Sequence, residues 1–192
     1  MNLTSVPLEK LIFEIHRRGF SIQLSPSAKN SNLEIDSNFI KGKTLGGKKK
    51  EFLWRINFEK NQIEIDRIEA NIQDIFSFEE IMKILEMLKA NFNDKEIPLG
   101  NNVQKLKNNE EQKGIGQTIY DLCSDEGSKK IIKAQGASQL APILEQCNIL
   151  SWNGKSKGIC FYLKNMPEND QHLLEIFRKT FEKYLTVDIT LN

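Results

Sequence analysis

The sequence is poor in the residues that build metal sites and disulfide frameworks. It has three Cys and two His in 192 residues, and none of them has the close spacing that zinc ligands usually show. An odd number of cysteines without regular spacing favours a reducing compartment, so we expect a cytoplasmic protein. No apolar run approaches the roughly 18 residues of a membrane span. Charged residues also interrupt the apolar stretch near Met1, which argues against a signal peptide.

The composition as a whole also lacks an excess of charge of either sign. The chain has 27 basic and 26 acidic residues and a net charge of +1. This balance excludes a histone-like protein or an acidic tail, although it allows local basic surfaces. Hydrophobic residues make up 39% of the chain, which is enough to build a core. The length predicts one domain or two small ones.

The first half of the chain predicts an α+β domain over residues 1–92. A helical pattern capped by Ser5 is followed by alternating apolar residues, which are typical of three or four strands of an antiparallel sheet. The clearest hairpin pairs the apolar alternation of residues 52–58 with that of residues 63–68. A capping box formed by Ser77 and Glu80 then predicts a helix that ends near residue 92.

The second half predicts a linker and another domain. Residues 93–113 are rich in Asn and poor in apolar side chains, which indicates a linker with one helical turn. Residues 114–192 predict three helices, a hairpin around the Asn-Gly pair at 153–154, an amphipathic helix and a last strand. The expected fold class is therefore α+β, with a helix–antiparallel sheet–helix unit followed by a second unit.

Residues 114–163 give the order helix, short helix, turn, helix and β-hairpin. This order resembles the winged helix-turn-helix superfamily, and the segment SQLAPILEQCNILSWNGKSKGICFYL, residues 138–163, carries the resemblance. Asn148 stands where many members have Gly, which is acceptable because Asn also adopts left-handed backbone geometry. The resemblance implies a winged-helix-like domain in which the third helix enters the major groove of duplex DNA and the wing touches phosphates.

The resemblance also implies which side chains bind nucleic acid. It places polar residues on the outward face of the third helix and lysines on the wing and on the second helix. The third helix has no Arg or Lys, which are the side chains that read guanine best. The implied binding residues are Ser138, Gln139 and Gln146 on the third helix, Lys155 and Lys157 on the wing, and Lys129, Lys130 and Lys133 on the second helix.

A second basic segment lies at residues 41–50, KGKTLGGKKK, and predicts an exposed loop. Lys48, Lys49 and Lys50 suit a nucleic-acid backbone, while Trp54 and Arg55 on the next strand suit stacking on bases. A flexible solvated loop is the alternative. The segment is not a phosphate-binding loop, because Ser occupies position 37 where that motif needs Gly.

No motif calls for a cofactor or a metal. Gly114-Ile115-Gly116 is not a dinucleotide fingerprint, because the third Gly would fall at Ile119, and it serves better as a helix start. One enzymatic alternative stays open, since the helix–strands–helix outline is also that of the PD-(D/E)XK nucleases, which hold Mg²⁺ with carboxylates. The candidates for that chemistry are Asp36, Glu59, Lys60, Glu64 and Asp66.

The amphipathic helix near the C-terminus carries an aromatic-rich stripe. This stripe either packs on its own domain or joins two copies of the chain as a homodimer. It consists of Leu173, Phe177, Phe181 and Tyr184. We expect a non-catalytic protein that binds nucleic acid, with duplex DNA as the favoured ligand and a regulatory role as one option. A protein–protein adaptor is the remaining alternative.

Overall fold

The computed structural model describes residues 39–108, 110 and 112–185. These belong, Phe39 apart, to one compact unit that begins at Ile40. The helix and strands predicted before residue 39 lie outside the described residues, as does the strand predicted over residues 187–191. The described part has an α+β fold, as the sequence predicts, with two antiparallel sheets and six α-helices around one core.

The first sheet has four antiparallel strands in sequence order, so each strand pairs with the one that follows it. Its alternating burial explains the pattern of the sequence, because every second side chain of the second strand points into the core. The hairpin predicted there is confirmed. The strands are β1 (Ile40–Lys43), β2 (Glu51–Asn57), β3 (Gln62–Arg67) and β4 (Ile72–Ser77), with a short 3-10 turn at Ile68–Ala70 between the last two.

Two strands differ from the sequence-based prediction. β1 occupies the start of the segment that was expected to be a loop, because Gly42 leaves room for the ring of Phe52 on the paired strand. A Cβ at Gly42 would lie 2.4 Å from that ring. The pattern of β4 was not recognised. The indole of Trp54, expected on the surface, is fully buried and cannot stack on bases.

Helix α1 (Phe78–Phe92) follows β4 directly and ends where it was predicted to end. The Oγ of Ser77 accepts a hydrogen bond from the backbone N–H of Glu80 at 3.1 Å, which confirms the predicted cap. The carboxylate of Glu80 does not complete the capping box, because it pairs with Lys133 at 2.9 Å. One side of the helix, including Ile84 and Leu88, is buried against the sheet and the helices that follow.

The described residues after α1 form five helices and a second sheet. The order of strands in that sheet is β5-β7-β6, all antiparallel, so the short first strand pairs with the second strand of the predicted hairpin. The elements are β5 (Ile97–Pro98), α2 (Val103–Lys107), α3 (Ile115–Leu122), α4 (Gly127–Gln135), α5 (Ala137–Gln146), β6 (Leu150–Trp152), β7 (Cys160–Leu163) and α6 (Asp170–Leu185).

The segment predicted as a linker, residues 93–113, lies inside this unit. It contains β5 and α2, and the side chains of Ile97 and Leu106 are buried in the common core. Helix α1 also packs against α3 and α6. Residues 40–92 and 114–185 therefore contribute side chains to one core.

Three residues of the aromatic stripe of α6 pack on their own unit. Leu173, Phe177 and Phe181 are buried, and the ring of Phe177 lies 5.1 Å from that of Phe78 at the start of α1. Phe181 meets the ring of Phe58 edge-on at 6.0 Å. These three side chains are not an exposed surface for a second copy. In the described part of the chain no helix is long and apolar enough to cross a membrane.

Candidate nucleic-acid interface

The third helix of the expected winged-helix-like domain, α5, lies largely inside the molecule. It contacts β1, α3 and β6, and seven of its ten residues are buried. Gln139, expected on the outward face, is 7% exposed. The cause is the position of α5 between the two sheets, which covers most of its circumference. In the described fold this segment is therefore not an exposed helix that could enter a DNA groove.

The other polar side chains of α5 are also partly covered. Ser138 is half-buried, and its Oγ accepts a hydrogen bond from the Nδ2 of Asn101 at 2.5 Å. Gln146, at the far end of the helix, is half-buried and its Oε1 is buried without a partner in the described residues. Of the three predicted residues of this helix, Ser138 and Gln139 lie together and Gln146 lies apart from them.

The lysines of α4 differ in their availability. Lys133 is bound on one side by the carboxylate of Glu80 and donates to the backbone carbonyl of Ile75 at 2.9 Å. Lys130 lies over the ring of Tyr120, with its Nζ 4.5 Å from the ring centre, whereas Lys129 is exposed. Lys133 thus ties α4 to the first sheet and α1, and it is not available for a phosphate without breaking that contact.

The loop between β6 and β7 is the segment that the winged-helix resemblance predicts to be the wing. Its backbone is fixed from within, because the Nδ2 of Asn153 donates to the carbonyl of Gly158 at 3.0 Å and its Oδ1 accepts from the N–H of Lys155 at 3.2 Å. Asn148 before β6 has a φ of 59°, the left-handed geometry that its place requires. The side chains of Lys155 and Lys157 are exposed on this ordered loop.

The second lysine loop spans residues 44–50 and is closed by paired hydrogen bonds at its base. The backbone N–H of Thr44 donates to the carbonyl of Lys50 at 2.9 Å, and the N–H of Lys50 donates to the Oγ1 of Thr44 at the same distance. The Nζ of Lys50 also lies 3.0 Å from a carboxylate oxygen of Glu69. Lys48 and Lys49 are exposed and form no ion pair with any described residue.

These two loops, about 100 positions apart in the sequence, meet in space. Gly46 is the point of contact. A Cβ at this residue would lie 2.9 Å from the Cδ1 of Ile159 and 3.7 Å from the carbonyl oxygen of Ser156. We call the exposed lysines of both loops, Lys48, Lys49, Lys155 and Lys157, the lysine surface. Its acidic neighbours are already engaged, since Glu51 pairs with Lys43 at 3.2 Å and Glu69 with Lys50.

An open cleft of about 440 Å³ adjoins the lysine surface. Five neutral polar side chains line it, and aliphatic and charged side chains complete its wall. The neutral polar residues are Thr44, Asn101, Gln135, Ser138 and Gln139, the aliphatic ones include Leu45, Ile72, Leu99 and Ile159, and the charged rim includes Lys48, Lys50, Glu51, Arg67 and Glu69. We call this the polar cleft.

Asn101, which lines the polar cleft, follows a segment that crosses the start of α3 very closely. Three glycines, Gly100, Gly114 and Gly116, make this close crossing possible. The start of α3 crosses this segment so closely that a Cβ at Gly114 would lie 2.3 Å from the carbonyl oxygen of Pro98. A Cβ at Gly116 would lie 2.4 Å from the carbonyl oxygen of Gly100, and the N–H of Gly116 donates to the carbonyl of Leu99 at 2.7 Å. The Gly-x-Gly pair therefore lies at the start of a helix, as the sequence suggested. There it allows the helix to pack closely against residues 98–101.

Two of the carboxylates proposed for a nuclease, Glu64 and Asp66, are engaged with other side chains, whereas Glu59 and Lys60 are exposed in the turn between β2 and β3. Burial works against the charged form of Glu64, but hydrogen bonds from Asn57, Gln62 and Arg55 outweigh it and hold its pKa at about 2. Asp66 accepts a hydrogen bond from Gln73 at 3.1 Å. Over residues 39–108, 110 and 112–185 no three Asp, Glu, His or Cys side chains are arranged to hold a metal. Asp36 lies outside these residues.

Comparison with protein-family models, with curated proteins and with solved structures found no match for the chain. The fold brings together Lys48, Lys50, Ser138 and Gln139 around one cleft, with Lys49, Lys155 and Lys157 on the loops beside it. It leaves Lys129, Lys130, Lys133 and Gln146 outside the cleft. Asn101 and Gln135 were not singled out from the sequence, because nothing local marks a residue whose role depends on a distant helix.

Proposed function

We propose that the protein binds nucleic acid without catalysis, through the lysine surface. The observation that carries this proposal is the contact between Gly46 and residues 156–159. This contact joins two lysine loops that are far apart in the sequence. Phosphate contacts from Lys and Arg supply most of the affinity of nucleic-acid binders, and they need exposed, unpaired cations on a fixed frame. The backbone hydrogen bonds of both loops provide that frame.

We also propose a winged-helix-like arrangement for residues 114–163, in which the wing rather than the third helix meets the ligand. The β5-β7-β6 sheet supports this assignment, as do the helices that lie between β5 and β6 in the sequence. The buried state of α5 argues for contacts with the phosphate backbone over direct readout of bases in a major groove. Phosphate contacts position a protein on DNA but carry no sequence information. Duplex DNA bound without strong sequence preference is the expected ligand.

A mobility-shift assay tests this function directly. Random-sequence duplex and single-stranded DNA are titrated with protein at low and moderate salt, with and without Mg²⁺. We expect a salt-sensitive shift and no cleavage products, and we expect the double substitution Lys155→Glu with Lys157→Glu to abolish the shift of the duplex. The matched control is Lys89→Glu with Lys95→Glu, which makes the same change of charge at exposed lysines outside both loops.

Two results would contradict the proposal. If the wing variant shifts DNA as well as the control variant does, the lysine surface is not the interface. If product bands appear only when Mg²⁺ is present, the protein is a metal-dependent nuclease and its acidic residues need to be reconsidered.

A further inference from the structure

The polar cleft has a composition that differs from the lysine surface beside it. Its volume of about 440 Å³ falls within the range of small-molecule sites. Three amide side chains and two hydroxyls line it, and each of these groups can both donate and accept hydrogen bonds. Such a set suits a neutral ligand edge that alternates donors and acceptors, whereas a bare anion would use only the donors.

One amide in the cleft has an unmet hydrogen-bonding requirement. Gln139 is 7% exposed, and its Oε1 is buried without a partner in the described residues. A buried acceptor without a donor is costly and is uncommon in native proteins. Because the last torsion of a Gln side chain is broad, the amide can turn its acceptor toward a group that enters the cleft. Gln139 therefore has, at this site, an acceptor that no residue in the described part of the chain uses.

The neighbouring pair has spare capacity as well. The Nδ2 of Asn101 donates to the Oγ of Ser138, which leaves the Ser138 hydroxyl proton free to donate onward. No described residue donates to the Oδ1 of Asn101. Gln139, Asn101 and Ser138 thus offer both an acceptor and a donor from two segments that the glycine crossing holds in place.

The walls and the rim add two further requirements on the ligand. Leu45, Leu99 and Ile159 offer flat aliphatic contact, and Lys48 brings an unpaired cation to the edge of the cleft. Lys50 is also on the rim but pairs with Glu69. A ligand that fits has an apolar face, an edge with donors and acceptors, and a negative charge on one side. A nucleotide has all three.

We propose that the polar cleft binds one unpaired nucleobase, with the adjoining phosphate on Lys48. This inference rests on the proposed function, since the strand that carries the base lies on the lysine surface. Asn and Gln amides pair with the N6 and N7 edge of adenine, so adenine is the favoured base. An unpaired base can be packed between apolar side chains and read along its hydrogen-bonding edge, as in proteins that take a base out of a helix.

The test compares strands with and without bases. Fluorescence anisotropy measures binding of a labelled ten-nucleotide deoxyadenosine strand and of a strand of the same length made of abasic sites. We expect the deoxyadenosine strand to bind about tenfold more tightly. Gln139→Leu, which keeps the size of the side chain, should remove this preference by weakening binding of the deoxyadenosine strand about tenfold.

The control variant is Gln117→Leu, which removes another amide with a buried Oε1 that lies outside the cleft. It should retain the wild-type preference, and thermal unfolding of both variants shows that they are folded. Competition with adenosine monophosphate distinguishes a free nucleotide from a base within a strand. We expect weak competition, because a free nucleotide lacks the backbone contacts of the strand.

The outcomes separate this inference from the proposed function. Equal binding of the abasic and deoxyadenosine strands, with both weakened by loss of the wing lysines, overturns the base site and leaves the nucleic-acid interface standing. No binding of either strand overturns the base site, and the nucleic-acid interface is overturned as well if the duplex also fails to shift. Competition by adenosine monophosphate at the affinity of the strand overturns the strand as the source of the base and assigns the cleft to a free nucleotide.

Discussion

Arg67 and Asp74 form a buried ion pair between the neighbouring strands β3 and β4. The Nε of Arg67 lies 2.7 Å from the Oδ2 of Asp74, and its Nη2 donates to the Oδ1 at 2.8 Å. The two side chains are only 10% and 3% exposed. The same Nη2 donates to the backbone carbonyl of Ile132 at 2.9 Å, so one guanidinium joins the first sheet to helix α4.

Removing one partner of this pair should be strongly destabilising. Asp74→Ala leaves the guanidinium of Arg67 buried without its counter-ion, and we expect the free energy of unfolding to fall by about 3–5 kcal/mol. Urea unfolding followed by circular dichroism measures the change. The control is Glu79→Ala, which removes an exposed ion pair with Lys83 and should change stability far less. A similar small loss for both variants would show that the buried pair does not hold α4 to the sheet.

The stability of the protein should fall in acid because of Glu64. Its pKa in the folded state is about 2, below the ordinary value of 4.5. A lowered carboxyl pKa contributes stability above the ordinary value, and this contribution is lost as the pH falls from about 4.5 toward 2. At 1.36 kcal/mol for each unit the contribution at neutral pH is roughly 3 kcal/mol. Unfolding free energies measured between pH 7 and pH 2 provide the test.

The variant Glu64→Gln keeps the shape of the side chain and removes its titration. We expect this variant to be less stable than the wild type at pH 7 and to lose less stability between pH 4.5 and pH 2. Glu59→Gln, at the exposed β2–β3 turn, serves as the control and should keep the wild-type acid profile. Parallel pH curves for Glu64→Gln and the wild type would contradict the assignment.

The crossing of α3 over residues 98–101 should not accept a side chain at Gly116. In Gly116→Ala the new Cβ would lie 2.4 Å from the carbonyl oxygen of Gly100, so the backbone must shift. We expect a loss of about 1–3 kcal/mol, although Ala favours a helix over Gly by about 1 kcal/mol. Gly47→Ala, where a Cβ meets nothing within 4 Å, should be nearly neutral. Thermal unfolding compares the two, and a stable Gly116→Ala would show that the crossing is loose.

The thiol of Cys147 should be inert in the folded protein. It is 5% exposed, and burial raises its pKa to about 12. Because the thiolate is the reactive form, we expect iodoacetamide at pH 8 to label Cys147 only after unfolding. Cys123 and Cys160 are half-buried free thiols and should be labelled earlier. Mass spectrometry of peptides from a time course measures this order, and equally fast labelling of Cys147 would show that the core opens readily.

Local patterns predicted most of the described elements. The helix of residues 78–92, the two hairpins and the helices of residues 115–146 and 170–185 were found because apolar spacing and turn chemistry mark them directly. Asn148 and Gly114 also have the backbone roles that their types suggest. β4 was not recognised, because its last two residues, Phe76 and Ser77, were assigned to the start of the helix that follows.

The features that the sequence did not predict depend on distant partners. Burial of Gln139 and Trp54 follows from layers that pack over them, and exposure cannot be read from the residue type alone. The contact of Gly46 with Ser156 and Ile159 joins segments whose separation along the chain hides their proximity. The lysines themselves could be listed from composition, but only the fold groups Lys48 and Lys49 with those of the wing.

The salt dependence of DNA binding tests the central claim most directly. Equilibrium constants are measured by anisotropy on one duplex between about 50 and 200 mM salt, a range over which counterion release lowers the affinity of nucleic-acid binders strongly. The wild type and two variants are compared. One variant is Lys48→Gln with Lys49→Gln, and the other is Lys155→Gln with Lys157→Gln. If both loops hold phosphates, each variant should reduce the slope of log K against log salt by about 1–2. Slopes equal to that of the wild type in both variants would show that the lysine surface does not bind the nucleic-acid backbone.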